Sequence, residues 1–180
     1  GAAVSASSIE VLFTYDAKMQ DGRGANNAWL AELPDPITKI TWDNAALISP
    51  KLAREKSISN GDKVEVTVEG KKATIVAWVT PGQADYAVTL PLGWGRTAAG
   101  RVGNGKGFDV GALRTSQALW FTDGVTLAPA GSRYKLAQTQ DHVLHLAGAN
   151  RVEAARGLIE QDEFRLVDER LGEADAARHA

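Results

Sequence analysis

The sequence predicts a mainly β fold, a small barrel that carries short helices. Several short runs are rich in β-branched and aromatic residues and are bounded by Gly, Pro, Asn or Asp, as strands are. Turn signals recur at close intervals, and the chain lacks the regular strand–helix alternation that a doubly wound sheet requires. With 180 residues, of which 44% are hydrophobic, the chain is long enough to bury a core of its own.

The predicted elements at the start of the chain are one strand and two short helices. The β-branched run Ile9–Thr14 predicts the first strand. A short helix is predicted over residues 28–33, and Pro34 stops it because proline lacks the backbone N–H that a helix needs. Ser49-Pro50 is typical of a helix start, since serine accepts from the first backbone N–H groups and proline suits the first turn. This second helix is expected to end near Asn60-Gly61.

The clearest predicted hairpin lies in the middle of the chain. Residues 63–69 alternate, with valines on one side and charged or polar residues on the other, as in a half-buried strand. Gly70 permits a tight turn, and residues 72–79 return as the partner strand. A further strand is predicted at residues 86–90, before the irregular residues 91–112. Later strands are predicted around residues 118–121, 125–127 and 134–137.

Charge and composition divide the chain into three predicted regions. Residues 141–180 hold nine of the 22 acidic residues but only five of the 20 basic residues, and they lose the β pattern. We expect an acidic linker or tail there, leading towards a further domain. The barrel is expected over residues 9–140, and residues 1–8 are interpreted as an extension that begins with the remnant of a tag.

The composition excludes several classes of site. Because the chain has no cysteine, it cannot form disulfides, thiolate metal sites or iron–sulfur clusters, nor use a cysteine nucleophile. A formal net charge of -2 gives no reason to expect nucleic acid as a partner. His142 and His145 are close in sequence, but the only further ligand beside them is Asp141. Since no nucleophile–base motif is present either, we predict neither a catalytic residue nor a metal site.

The segment best suited to binding a ligand is the Gly-rich loop, residues 93–111, which holds seven of the 18 glycines. Glycine lets backbone N–H groups approach a ligand closely, and arginine side chains match phosphate oxygens. Together with Arg114, the loop carries four basic residues against the single acid Asp109. A ligand with a diphosphate group would suit such a loop. A flexible surface loop with solvated charges is the alternative.

Seven motifs carry a resemblance to a known family. They are DGRGANNAWLAELPDP at residues 21–36, TWDNAALISP at 41–50, NGDKVEV at 60–66, PGQ at 81–83, LGWGR at 92–96, GRVG at 100–103 and YKLAQTQ at 134–140. The first of them is long and specific. The series resembles the C-terminal, dinucleotide-binding domain of molybdopterin oxidoreductases. It is most similar to the variant in the large iron–sulfur subunit of the quinol-oxidising alternative complex III.

The resemblance implies a double-psi β-barrel, in agreement with the strand pattern. In catalytic relatives this domain caps molybdopterin guanine dinucleotide and contacts its pterin and guanosine ends, while the molybdenum ligand and most of the pterin site come from other domains. In alternative complex III the corresponding domain keeps the shape of the enzymes without the pterin. Carried over to this sequence, the candidate cofactor contacts are Asn26, Asn27, Trp29, Asn44, Gly93, Trp94, Gly95, Arg96, Asn104 and Arg114.

Three functions follow as expectations. The leading one is a structural, non-catalytic domain of a molybdopterin oxidoreductase-like respiratory subunit, with a vestigial pocket and no cofactor. The second is a live domain that caps molybdopterin guanine dinucleotide in a molybdenum oxidoreductase, and the third is a protein-binding barrel module.

The resemblance also implies partners and a location. The implied partners are the molybdopterin-type and iron–sulfur domains of a parent subunit and the other subunits of a membrane respiratory complex. The implied location is the periplasmic face of a bacterial membrane. Because the sequence has no apolar run of about 20 residues, this chain is itself predicted to be soluble.

Overall fold

The computed structural model describes Ser5 and residues 8–139. The strands are β1 (Ile9–Thr14), β2 (Ile40–Thr41), β3 (Ala46–Ile48), β4 (Asp62–Val68), β5 (Lys71–Val79), β6 (Ala87–Pro91), β7 (Phe121–Arg133) and β8 (Ala137–Gln138). The helices are α1 (Ala28–Glu32), α2 (Pro50–Lys56) and α3 (Gly100–Gly103), and a 3₁₀ turn spans Gly111–Leu113. The predicted acidic segment 141–180 and most of the predicted N-terminal extension lie outside the described residues.

Six strands close into a barrel, in the order β1, β6, β3, β5, β4 and β7, with β7 returning to β1. Two neighbouring pairs are parallel, β1 with β6 and β3 with β5, while the other pairs are antiparallel. Strands β2 and β8 form a separate two-stranded sheet. The predicted mainly β fold, with a barrel and small helices, is confirmed.

The barrel is filled by side chains that alternate along its strands. Ile9, Val11 and Phe13 of β1 are buried in the core, and so are the three valines of β4, as their spacing predicts. In β5 the adjacent Ile75 and Val76 are both buried, because a second apolar cluster covers the outer face of this strand. That cluster joins the small sheet to the barrel and consists of Ile40, Ala45, Val76 and Leu136.

Helix α2 begins where the sequence predicts but ends earlier. Ser49 Oγ accepts from the backbone N–H of Leu52 at 3.0 Å, and Pro50 occupies the first turn. The helix ends at Lys56 because Ser57 adopts the left-handed conformation, with a φ of 56°, and its N–H donates to the last helical carbonyls. The predicted end further along the chain is therefore wrong. None of the helices in the described part of the chain is both long and apolar enough to cross a membrane.

The late strands also differ from the prediction. A single strand of 13 residues, β7, replaces the two strands predicted at residues 118–121 and 125–127. Ala118 lies in a turn, where its backbone N–H donates to Thr115 Oγ1 at 3.1 Å, so the strand begins only at Phe121. The glycines of β7 adopt positive φ angles, and the strand continues past them instead of ending.

The last predicted strand, at residues 134–137, is reduced to the two-residue β8. Tyr134 precedes this strand, and its hydroxyl group donates to the carboxylate oxygens of Asp43 at 3.0 and 3.2 Å. The backbone N–H of Tyr134 donates to Gly61 O at 2.7 Å, outside any strand.

Candidate functional site

The Gly-rich loop follows β6 and packs closely on the segment before α1. A Cβ atom at Gly93 would lie 2.7 Å from Gln20 O and Gly22 N, and one at Gly103 would overlap Ala25 O. Side chains at these positions would push the two segments apart, so the close packing depends on glycine. Two backbone hydrogen bonds of 2.8 and 2.9 Å also join the two arms of the loop. These contacts hold the loop in place, which argues against a flexible surface loop.

Asn44 joins the two ends of this loop. It is 3% exposed, and its Nδ2 donates to Pro91 O at 2.8 Å and to Phe108 O at 3.0 Å. Its Oδ1 accepts from Phe108 N at 2.8 Å. Both amide hydrogens are therefore used within the fold. A direct contact between Asn44 and a cofactor stays a prediction.

A pocket of about 330 Å³ lies against the Gly-rich loop. It brings together four of the predicted contact residues, Gly93, Trp94, Arg96 and Arg114. Its volume falls within the range of small-molecule sites, which is about 300–1,000 Å³. We call it the arginine pocket, and its remaining lining residues are Asp21, Leu92, Asp109, Gly111 and Ala112.

The two arginines of the pocket keep hydrogen-bond donors for a ligand. Arg96 Nη2 donates to Asp21 O at 3.3 Å, which is the one hydrogen bond that the Arg96 side chain makes to the described residues. Arg114 Nε donates to Leu119 O at 2.7 Å, and its guanidinium lies 5.0 Å from the centroid of the Trp120 ring. Because a guanidinium has five N–H donors, most of the donors on both arginines are available to an anion.

The two carboxylates that line the pocket are both engaged by protein groups. Asp21 is hydrogen-bonded to Arg23 at 2.8 Å, and this bond holds the pKa of Asp21 well below its usual range. Asp109 Oδ1 accepts from Gly111 N at 2.8 Å. Since Arg23 neutralises Asp21, positive charge exceeds negative charge around the pocket. The site therefore favours an anionic group.

The other predicted contact residues do not line the arginine pocket. Asn27 caps α1, with its Oδ1 accepting from Trp29 N at 3.0 Å, and Asn104 Oδ1 accepts a backbone N–H within its own loop at 2.6 Å. Trp29 is 87% exposed, and Asn26 is exposed beside it. Gly95 lies on a separate cavity of about 10 Å³. Ligand contacts at these positions stay predictions.

Lys18 and Asp43 are buried charged residues that sequence reasoning missed. Lys18 Nζ donates to Ile40 O at 3.0 Å and lies 5.1 Å from the ring centroid of Trp94. Burial lowers the pKa of Lys18 and raises the pKa of Asp43, whose carboxylate accepts from Tyr134. Asp43 lies within one of the family-like motifs and could have been singled out. Nothing in the sequence distinguishes Lys18, because a lysine that becomes buried looks the same in the sequence as one that stays in solvent.

Among the described residues, no group of three or more His, Asp or Glu side chains could hold a metal ion. The pair His142 and His145 lies outside the described residues. The described residues of the arginine pocket offer guanidinium groups, glycine backbone and an indole surface, which suit the binding of an anionic ligand.

One protein family model covers the residues of this site. Residues 13–119 match the family model described as molydopterin dinucleotide binding domain. The matched range covers more than half of the 180 residues and contains the whole arginine pocket. A search of the curated proteins finds no match.

Proposed function

Because the chain belongs to the molydopterin dinucleotide binding domain family, we propose that its arginine pocket receives the diphosphate-bearing part of a molybdopterin dinucleotide. The domain is of the molybdopterin oxidoreductase type. In the proposed role it binds and orients the cofactor, and no bond-making step is assigned to its own side chains. Among the three expected functions, this is the live capping domain.

The observation that carries the proposal is the pair of guanidinium groups on one pocket. Arg96 and Arg114 both line it, and each keeps N–H donors that no described residue uses. Charge-assisted hydrogen bonds from arginine to phosphate oxygens are among the stronger polar contacts in proteins.

The residues of the pocket fit part of the cofactor. A volume of about 330 Å³ suits one nucleotide end of the molecule and leaves the rest to other domains. Trp94 lines the pocket but is only 5% exposed, and its buried Nε1 has no acceptor among the described residues. When bound, the cofactor supplies the redox chemistry of molybdenum. This chain supplies positive charge, orientation and shelter from water.

A structural domain with a vestigial pocket is the second candidate. It is favoured by the internal use of Asn27, Asn44 and Asn104, whose side chains hydrogen-bond within the fold. It is also favoured by Asp109, since a carboxylate at the pocket repels a diphosphate. The two candidates differ in whether the pocket binds a nucleotide.

Together with this second candidate we propose the setting that the motif resemblance implies, since in alternative complex III the corresponding domain lacks the pterin. The motifs at residues 21–36 and 41–50 support a parent subunit like that of alternative complex III, with molybdopterin-type and iron–sulfur domains as partners. Such a subunit belongs to a bacterial respiratory complex at the periplasmic face of the membrane. Cysteine clusters encoded downstream in the same reading frame would support this setting. Molybdenum-ligand motifs upstream without such clusters would contradict it.

The nucleotide proposal is tested by titrating the 180-residue chain with guanosine diphosphate and adenosine diphosphate under amide NMR. We expect saturable shifts at residues 93–114 that are stronger with the guanine nucleotide. Arg96→Ala should weaken binding about tenfold or more, because a hydrogen bond to a charged group contributes about 1.5–3 kcal/mol.

Arg101→Ala is the matched control, because Arg101 is an exposed arginine of the same loop outside the pocket. It should leave the affinity unchanged. If neither nucleotide gives saturable shifts, the pocket is vestigial. Equal losses of affinity in the two variants would show that the nucleotide binds by general charge attraction and not in the pocket.

A further inference from the structure

A second cavity, of about 550 Å³, lies at the start of β7. It is lined by Glu10, Glu69 and residues 116–123 and shares no lining residue with the arginine pocket. We call it the aromatic groove. Neither the family motifs nor the predicted contact residues include its aromatic side chains.

Large apolar side chains are exposed along this groove. Phe121 is 67% exposed, and Leu119 and Trp120 are exposed beside it. Next to them Tyr15, also exposed, meets Trp120 edge to face, with ring centroids 5.1 Å apart and an interplanar angle of 82°. On the other side, the guanidinium of Arg114 lies 5.0 Å from the centroid of the same indole ring. Exposed apolar patches mark interaction sites, and Trp, Tyr and Arg are the residues most enriched at the energetic centres of interfaces.

The charged residues that line the aromatic groove are all acidic. They are Glu10, Glu69 and Asp123, and none of them forms an ion pair within the described part of the chain. No lysine or arginine lines the groove. Carboxylates and exposed aromatic rings both attract cations, the carboxylates through their charge and the rings through their negative faces.

We propose that the aromatic groove is a docking surface for a basic segment of another polypeptide, one that carries an apolar anchor between lysine or arginine residues. The anchor packs against Phe121 and Leu119, and the flanking cations approach Glu69 and Asp123. The occupant follows from the charge of the lining, which complements a basic partner and repels an acidic one. The proposal does not rest on nucleotide binding, although Arg114 of the arginine pocket contacts Leu119 and Trp120 of the groove.

The test uses the 180-residue chain and two acetylated, amidated probe peptides, KLKFKLK and its charge-reversed counterpart ELEFELE. Titration of KLKFKLK under amide NMR should give saturable shifts at residues 116–123, weakened by added salt. Phe121→Ser and Glu69→Lys should each weaken this binding about tenfold or more, as loss of a central interface contact does. ELEFELE should not bind.

Ile37→Ser is the matched control, because Ile37 is 74% exposed and lines neither cavity. This variant should keep the affinity of the wild type, and the amide spectra of all variants check that they fold. Absence of saturable shifts with KLKFKLK, or equal binding of ELEFELE, would refute a basic partner. Self-association of the peptide-free chain that Phe121→Ser abolishes would also overturn the proposal and assign the groove to a second copy.

Discussion

A single side-chain amide, that of Asn44, ties the Gly-rich loop together at both ends. It donates to Pro91 O and Phe108 O and accepts from Phe108 N, so its two hydrogens and its oxygen are all used. Removing such a buried partner leaves polar groups unsatisfied, which costs about 1–3 kcal/mol for each group. The shape of the arginine pocket therefore depends on a residue that does not line it.

Asn44→Asp should make the stability of the chain depend on pH. An ionised carboxylate would face two carbonyl oxygens, so the pKa of the new side chain is raised in the folded state. A group with a raised folded pKa stabilises at low pH, and this stabilisation is lost as pH rises through that pKa. We expect a loss of about 3 kcal/mol in the free energy of unfolding at neutral pH, with partial recovery on acidification, when the protonated acid donates to one carbonyl.

Urea unfolding at several pH values measures this effect, and hydrogen exchange of the Phe108 amide reports on the loop itself. Asn44→Ala is the control, since it removes the same hydrogen bonds without adding a titrating group. Identical pH profiles for the two variants would contradict the proposed geometry.

At the scale of single residues, the sequence predicted only part of the candidate site. The family resemblance, supported by the glycine-rich and basic composition of the loop and its flank, predicted Gly93, Trp94, Arg96 and Arg114, and all four line one pocket. The buried Lys18 was missed, because its environment is assembled from segments far apart in the chain. Local patterns report which residues are present, whereas burial depends on the whole fold.

At the scale of elements, the caps of α2 show how side chains set the ends of a helix. Ser49 satisfies a backbone N–H at the start, and Ser57 ends the helix in a left-handed conformation that costs a non-glycine residue about 1–2 kcal/mol. Ser49 therefore stabilises the start of the helix, whereas Ser57 is strained at its end.

Substitutions at the two caps should therefore have opposite effects. Ser49→Ala should lower the free energy of unfolding by about 1 kcal/mol, since it leaves the Leu52 N–H without its acceptor. Ser57→Gly should raise it by about 0.5–1 kcal/mol, because glycine adopts positive φ without strain. Urea or thermal unfolding of the two variants measures both changes. A shift of the same sign in both would show that the helix ends are not set by these caps.

Strands were predicted well where their residues alternate and poorly where glycine and proline interrupt them. The hairpin of β4 and β5 was predicted nearly to the residue because its valines repeat every second position. Strand β7 was split in two, since Gly124, Pro129 and Gly131 read as breaks. In the barrel the strand continues through these residues because it pairs with β1 and β4 on either side. No local sequence pattern reveals this pairing.

At the scale of the whole molecule, buried polar contacts connect segments that are far apart in sequence. Lys18 donates to Ile40 O, and Tyr134 donates to Asp43. The backbone N–H of Gly107, in the Gly-rich loop, also acts to lower the pKa of Asp43. These contacts join the loop, the small sheet and the segment before α1.

Asp43→Asn should reveal the cost of burying this carboxylate. Burial raises the folded pKa of Asp43 above its ordinary value of 3.8, so the folded state binds more protons than the unfolded state above that value. The stability of the wild type relative to the variant should therefore increase as pH falls through the folded pKa. Urea unfolding of both proteins between about pH 7.5 and about pH 4.5 measures the difference. A difference that shrinks on acidification would contradict the raised pKa.

The parallel pairing of β1 with β6 has a consequence for how the chain reaches its fold. Residue 10 pairs with residue 87, and residue 9 pairs with residue 125, so both neighbours of β1 lie far along the chain. Closing such long loops costs entropy before any contact repays it, whereas β4 and β5 are joined by a two-residue turn and can pair at once. During synthesis β1 therefore stays unpaired until β6 has left the ribosome, and it gains its second neighbour only when β7 follows. We expect the slow step of barrel formation to join β1 to these two strands, which are made much later than β1 itself.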